Sequence, residues 1–277
     1  MANSNPAFNN SPAFSDRTAV AGKFPIAAPP AVADMSAQQL TELYSQPSAT
    51  PDDTGRMTYE DTMIKIILCF GILIVGAAVG WFVPVLWIPA AVLGTVFAFI
   101  NIFKKKVSPA LVVLYAAFEG VFVGGITNFF ESQWPGIALQ AVIGTAAVIG
   151  VTFALFASGR VRASARATKV FLIAITGYVV YSIVNVILMV TGVTKGAFGL
   201  DSLDIHLFGF SIPLGVIIGV LVVLLGAYSL VLDFDSIKTG VTRGAPRAYA
   251  WTAAFGLMVT VVWLYLQILR ILALSRR

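Results

Sequence analysis

"SIPLGVIIGVLVVLLGAYSLVLDFDSIKTG" (residues 211–240) decides the fold. From Ser211 to Leu232 no residue carries a charge. A helix rises ~1.5 Å per residue and needs ~20 apolar residues to cross a bilayer, so this run is long enough. It is apolar on every side, as a membrane span is and an amphipathic surface helix is not. Two acids, Asp233 and Asp235, follow where the span, read as 211–233, is expected to reach water.

The rest of the chain agrees. Its 277 residues are 58% hydrophobic and only 11% charged, with a mean hydropathy of +0.88. Such values belong to integral membrane proteins. Six further apolar stretches, at 62–82, 84–103, 107–130, 137–158, 169–192 and 249–273, are read as spans. The expected fold is all-α, a polytopic seven-transmembrane-helix bundle occupying residues 57–277. Pro84, Pro109, Pro135, Pro213 and Pro246 fall near the proposed boundaries, where a missing N–H costs least. The pairs Gly76/Gly80, Gly120/Gly124 and Gly215/Gly219 are spaced to let helix backbones approach closely.

Residues 1–56 differ in kind. They are rich in Pro, Ser, Ala and Asn and read as a disordered N-terminal tail. Within it, "SAQQLTELY" (36–44) carries a helix-start signal at Ser36 and Gln39, and "TYED" (58–61) marks the start of the first span. No basic segment followed by an apolar one opens the chain, so the first span is expected to serve as an uncleaved insertion signal.

The net charge of +5 does not indicate nucleic acid, because the basic residues sit in short loops between spans. Lys104, Lys105 and Lys106 follow the second span. Arg160, Arg162, Arg166 and Lys169 follow the fourth, and Lys238, Arg243 and Arg247 follow the sixth. The alternate loops offer Lys195. The positive-inside rule then puts these basic loops and the N-terminus in the cytoplasm, in a multi-pass protein of the cell's inner membrane. Seven spans leave the C-terminus outside despite Arg276 and Arg277.

Several chemistries are excluded. Cys69 is the single cysteine and His206 the single histidine, so disulfides, CxxC sites and histidine-rich metal sites are out. The last span has no lysine for a Schiff base, and no phosphate- or dinucleotide-binding fingerprint occurs. No cofactor and no enzymatic activity are expected. Among residues inside or ending the spans, Glu119 is the most expensive: it lies about 18 Å into the third span, near the bilayer midplane. Intramembrane carboxylates either line ion paths or hydrogen-bond to a neighbouring helix. Asp233 and Asp235 point about 200° apart on a helix and do not make one site by themselves.

"LVLDFDSIK" (230–238), "WLYLQILRIL" (263–272) and "SPALVVLYAAFEG" (108–120), in their order over roughly residues 57–275, resemble the Bax inhibitor-1 (transmembrane Bax-inhibitor-motif) family, in particular its bacterial members. The resemblance implies a pH-sensitive calcium leak in which two aspartates, one from each of the last two helices, sense protons. Asp233 matches the first, whereas Gln267 stands where "LYLQ" leads one to expect the second. The residues opposite Asp233 are expected at about Trp251 to Phe255, none of them acidic. Asp233 is then expected to hold Arg243 or Arg247 across the cytoplasmic mouth, with Glu119 in the path and Asp235 on another face. The resemblance also carries a second reading, a non-transporting regulator that binds other membrane proteins such as a quality-control protease. The partners are accordingly calcium or another cation and the lipid bilayer, or a membrane protein.

Overall fold

The computed structural model describes residues 36, 38, 55–104, 108–194, 198–207 and 210–276. The expected tail helix at 36–44, and Lys105, Lys106 and Lys195, fall wholly or mainly outside the described residues. The helices are α1 (Tyr59–Phe82), α2 (Trp87–Phe103, entered through a 3₁₀ turn at Pro84–Leu86), α3 (Pro109–Gln133), α4 (Ile137–Ala157), α5 (Ala165–Val190), α6 (Leu214–Thr242) and α7 (Tyr249–Ser275). All seven spans, α2 with its entry turn included, are long and apolar enough to cross a membrane. One element was not foreseen: a hairpin of β1 (Asp204–Leu207) and β2 (Phe210–Pro213), with Asp204 opposite Pro213 and Leu207 opposite Phe210.

Local chemistry sets the boundaries. Thr58 caps α1 by accepting from the Asp61 amide at 3.1 Å, as "TYED" predicts. Pro109 opens α3, where its missing N–H costs nothing. Ser164 caps α5 by accepting from the Ala167 amide at 3.2 Å, so that helix starts four residues before the expected span. The largest departure is in α6. Residues 210–213 belong to β2, and the helix runs on from Leu214 to Thr242. Its stop is Gly244, at φ 63°, with the Gly244 amide on Val241 O and the Ala245 amide on Gly240 O. Asp233 and Asp235 therefore lie inside a helix that nothing breaks, not at its end.

Helix α7 is the most enclosed of the seven, while α2 and α5 are the most peripheral. Ala253, Ala254, Met258, Leu264 and Ala273 of α7 are fully buried. The glycine pairs have distinct partners. Gly76 and Gly80 of α1 pack on Gly120 and Gly124 of α3: a Cβ at Gly76 would stand 2.6 Å from Ala117 O, and one at Gly124 would collide with Ala77 O. Gly215 and Gly219 of α6 face Leu274 and Ile271 of α7.

Both ends of the bundle are tied. Where α1 begins, the Met57 amide donates to Ala245 O at 2.7 Å and the Arg247 amide to Gly55 O at 2.8 Å, joining the segment before α1 to the α6–α7 loop. At the opposite, far end, Arg276 donates to Pro135 O at 3.0 Å and to Gln140 Oε1 at 2.8 Å. Helix α7 thus begins beside the start of α1 and finishes beside the α3–α4 loop. It runs from one end of the bundle to the other, and Arg276 has partners at the far end.

Candidate functional site

The seam between α6 and α7 carries two of the polar residues singled out above, Asp233 and Gln267. Its antiparallel register follows from side-chain contacts: Gly215 meets Leu274, Gly219 meets Ile271, and Gly226 meets Leu264. Ser229 and Thr260 hydroxyls are 3.5 Å apart. The residues facing Asp233 are accordingly Gly256 and Leu257, slightly deeper than expected. Neither is acidic, so α7 brings no carboxylate opposite Asp233.

Asp233 is 0% exposed. Phe234 beside it packs on Phe153 and Phe156 of α4, at ring separations of 5.5 and 5.7 Å. Asp235 lies on the other side of Phe234, is only half-buried, and has Lys238 for its nearby charge. The two aspartates thus occupy different surroundings, as their spacing requires.

Arg243 and Arg247 are exposed at the end of the bundle where α1 begins. The structure gives Arg247 a carboxylate that sequence reasoning did not consider. Its Nε donates to Asp61 Oδ1 at 2.9 Å. Lys65 donates to Asp61 Oδ2 at 2.5 Å and to Arg247 O at 3.1 Å, with its ammonium 5.6 Å from the centre of the Trp251 ring. This cluster pins α1 to the α6–α7 loop.

Gln267 is 8% exposed and donates through Nε2 to Tyr178 Oη of α5 at 2.9 Å. By the seam register it is level with about Val223, ten residues from Asp233. At ~1.5 Å per residue that is roughly 15 Å along the axis, too far for the two to share a proton. Three residues on, Arg270 Nη1 lies 3.3 Å from Asp201 Oδ2, and Tyr181 Oη donates to Asp201 Oδ1 at 2.6 Å. Asp201 comes from the connection after α5 and is 1% exposed. Sequence reasoning missed this group. An arginine inside an apolar span is itself a signal of polar company, but nothing in the loop sequence marks Asp201 as its partner.

Glu119 is half-buried on a different seam. It shares a face of α3 with Tyr115 and Val123, both in the central cluster. Its carboxylate reaches toward α2, where Gly94 leaves it room: a Cβ there would be 2.9 Å from Glu119 Oε2. Of this local arrangement the sequence reading singled out Glu119 but not Gly94.

Together these features define a polytopic helical membrane protein whose last two helices bury a line of polar groups: Asp233, the Ser229–Thr260 pair, Gln267 and Arg270 with Asp201. The chain belongs to the family described as Bax inhibitor 1 like, whose model matches residues 5–277. The match begins well before α1, so the family pattern extends into the tail. No curated protein matched the chain.

Proposed function

We propose that the protein is a pH-sensitive cation leak, calcium being the ion, in the cell's inner membrane, with its N-terminus in the cytoplasm and no enzymatic activity. The observation that supports this reading is the polar line along the α6–α7 seam. In an apolar bundle each buried polar group is expensive, and structural need alone does not align several of them from one end of a helix pair to the other. Asp233, fully withdrawn from solvent, is the gate on this reading. It senses protons without a second aspartate, since Gln267 holds the other position far along the axis. Exposed Arg243 and Arg247 set a positive barrier at the cytoplasmic mouth. Oxygen ligands suit a hard cation; Glu119, off the seam on the α2–α3 face, attracts it through negative charge at mid-depth rather than by ligation. Asp235, on the far side of Phe234, contributes little.

The test is calcium entry into liposomes from pH 5 to 8. Asp233→Asn is expected to raise entry and flatten its pH response, Glu119→Gln to lower entry, and Asp235→Asn to change it little. If Asp233→Asn leaves entry and pH response unchanged, the gate is wrong. If neither the parent nor any variant conducts, the non-transporting regulator that binds other membrane proteins becomes the better reading.

A further inference from the structure

At the far end, buried polar atoms collect without hydrogen-bond partners among the described residues. They include Gln267 Oε1, Arg270 Nε, Arg270 Nη2 and Ser182 Oγ, with Thr194 Oγ1 beyond the end of α5. Gln267 and Arg270 stand one turn apart on α7. Tyr178, Tyr181, Ser182 and Asn185 recur at helical spacing on one face of α5. Two cross-links bring these faces together: Gln267 to Tyr178, and Arg270 through Asp201 to Tyr181.

The chemistry of the unfilled atoms selects a ligand. Arg270 presents the Nε–Nη2 edge of its guanidinium, which is a donor, whereas Gln267 Oε1 is an acceptor and Ser182 Oγ is either. A bare cation would meet the guanidinium, and an anion would meet Gln267 Oε1 and the Asp201 carboxylate. Water satisfies both kinds, and buried waters characteristically bridge two to four such groups.

The same residues are covered from the far side. Asn185 fixes the 198–202 segment, donating to Phe198 O at 3.1 Å and accepting from the Leu200 amide at 2.7 Å. Gly199, at φ 61°, allows this close approach. Gly215 leaves space for Asp201, since a Cβ there would be 2.6 Å from that of Asp201. A loop carboxylate is thereby inserted until it is 1% exposed.

We propose that Ser182, Gln267 and Arg270 line a water-binding site, that the Asp201–Arg270 ion pair seals it from solvent at the far end, and that this seal is the second gate of the leak. The last clause rests on the leak reading. The site and its seal do not.

The test uses the full chain in nanodiscs, with Cys69→Ala and Ser182→Cys, and a membrane-impermeant maleimide. Alkylation needs a thiolate and therefore water at the sulfur. The parent is expected to react slowly. Asp201→Asn keeps the size of the side chain and removes the ion pair, and it is expected to speed the reaction at least about tenfold. Tyr181→Phe keeps the ion pair but removes one of its hydrogen bonds, is expected to give about threefold, and serves if Asp201→Asn does not fold. No acceleration in either variant overturns the proposal. So does a parent that already reacts as fast as Leu203→Cys on the exposed loop. Calcium entry into liposomes is measured on the same variants and should rise with alkylation. Accelerated alkylation without calcium entry in parent or variant keeps the sealed water site and removes the leak reading on which the gate depends.

Discussion

Gly76→Ala probes the tightest seam in the bundle. The added Cβ would stand 2.6 Å from Ala117 O and 3.2 Å from Gly120 Cα. Both neighbours are backbone of α3, so no side chain can swing away. Ordinary contact begins near ~3.4 Å, and 3.4 less 2.6 leaves about 0.8 Å by which α1 and α3 must part. A gap of that size forfeits roughly a quarter to a half of the dispersion between facing atoms. Leu73, Ala116 and Val123 flank the seam, each buried. A buried leucine makes ~40 contacts of ~0.1 kcal/mol, so losing a quarter of them costs about 1 kcal/mol at Leu73, nearly as much at Val123 and little at the single methyl of Ala116. The sum is about 2 kcal/mol, against which better helix propensity returns about 1 kcal/mol. Gly71→Ala is the control, because its Cβ meets nothing within 4 Å. The net expectation is a loss of about 1 kcal/mol for Gly76→Ala and no loss for Gly71→Ala. Unfolding by dodecyl sulfate in mixed micelles, followed by circular dichroism, measures both. Equal midpoints for the two variants would refute the close-contact argument, because helix propensity would then explain everything.

Asp61→Asn removes the carboxylate shared by Lys65 and Arg247. Since Arg247 is half exposed, the expected loss is only about 1–2 kcal/mol. It should appear as faster hydrogen exchange at the Met57 and Arg247 amides, with the far end unaffected. The orientation is tested by cysteine labelling in a Cys69-free background: Lys105→Cys, Arg162→Cys and Arg243→Cys should label from the cytoplasm and Lys195→Cys from outside. Labelling of Lys195→Cys and Arg162→Cys from one side would overturn it.

Much of the fold was legible because membrane spans are a matter of length and apolarity, and seven such runs left little freedom. The errors came where local chemistry outweighs hydropathy. Asp233 and Asp235 look like the end of a span, because a carboxylate in a hydropathy profile marks water. Helix continuity is governed instead by stop signals, and the first after Asp233 that carries a left-handed turn is Gly244. The α6–α7 seam was partly legible, since Gly215/Gly219 announced close packing but not its partner. Asp201 was not legible at all. Its burial depends on Gly199, Asn185 and Gly215, residues from three different segments that only the folded chain brings together. Arg247 and Asp61 likewise lie 186 positions apart, so no local pattern links them.

The spacing along α7 also bears on how a leak of this kind would stay closed. From the level of Asp233, near Leu257, to Arg270 is thirteen residues, or roughly 20 Å of helix. Thr260 and Gln267 stand between them, seven residues apart and on one face of the helix. The interval between those two is held by Leu264, fully buried and set against Gly226. A leucine packed on a glycine closes the seam with hydrocarbon, and a dry constriction of this kind stops an ion because it offers no replacement for the hydration shell. On the leak reading, then, Asp233 and the Asp201–Arg270 pair control access from the two ends, while Leu264 is the barrier that either must loosen. Glu119 lies off this line, on the α2–α3 face. Its influence on a cation in the α6–α7 seam would be exerted through charge at a distance rather than by direct ligation.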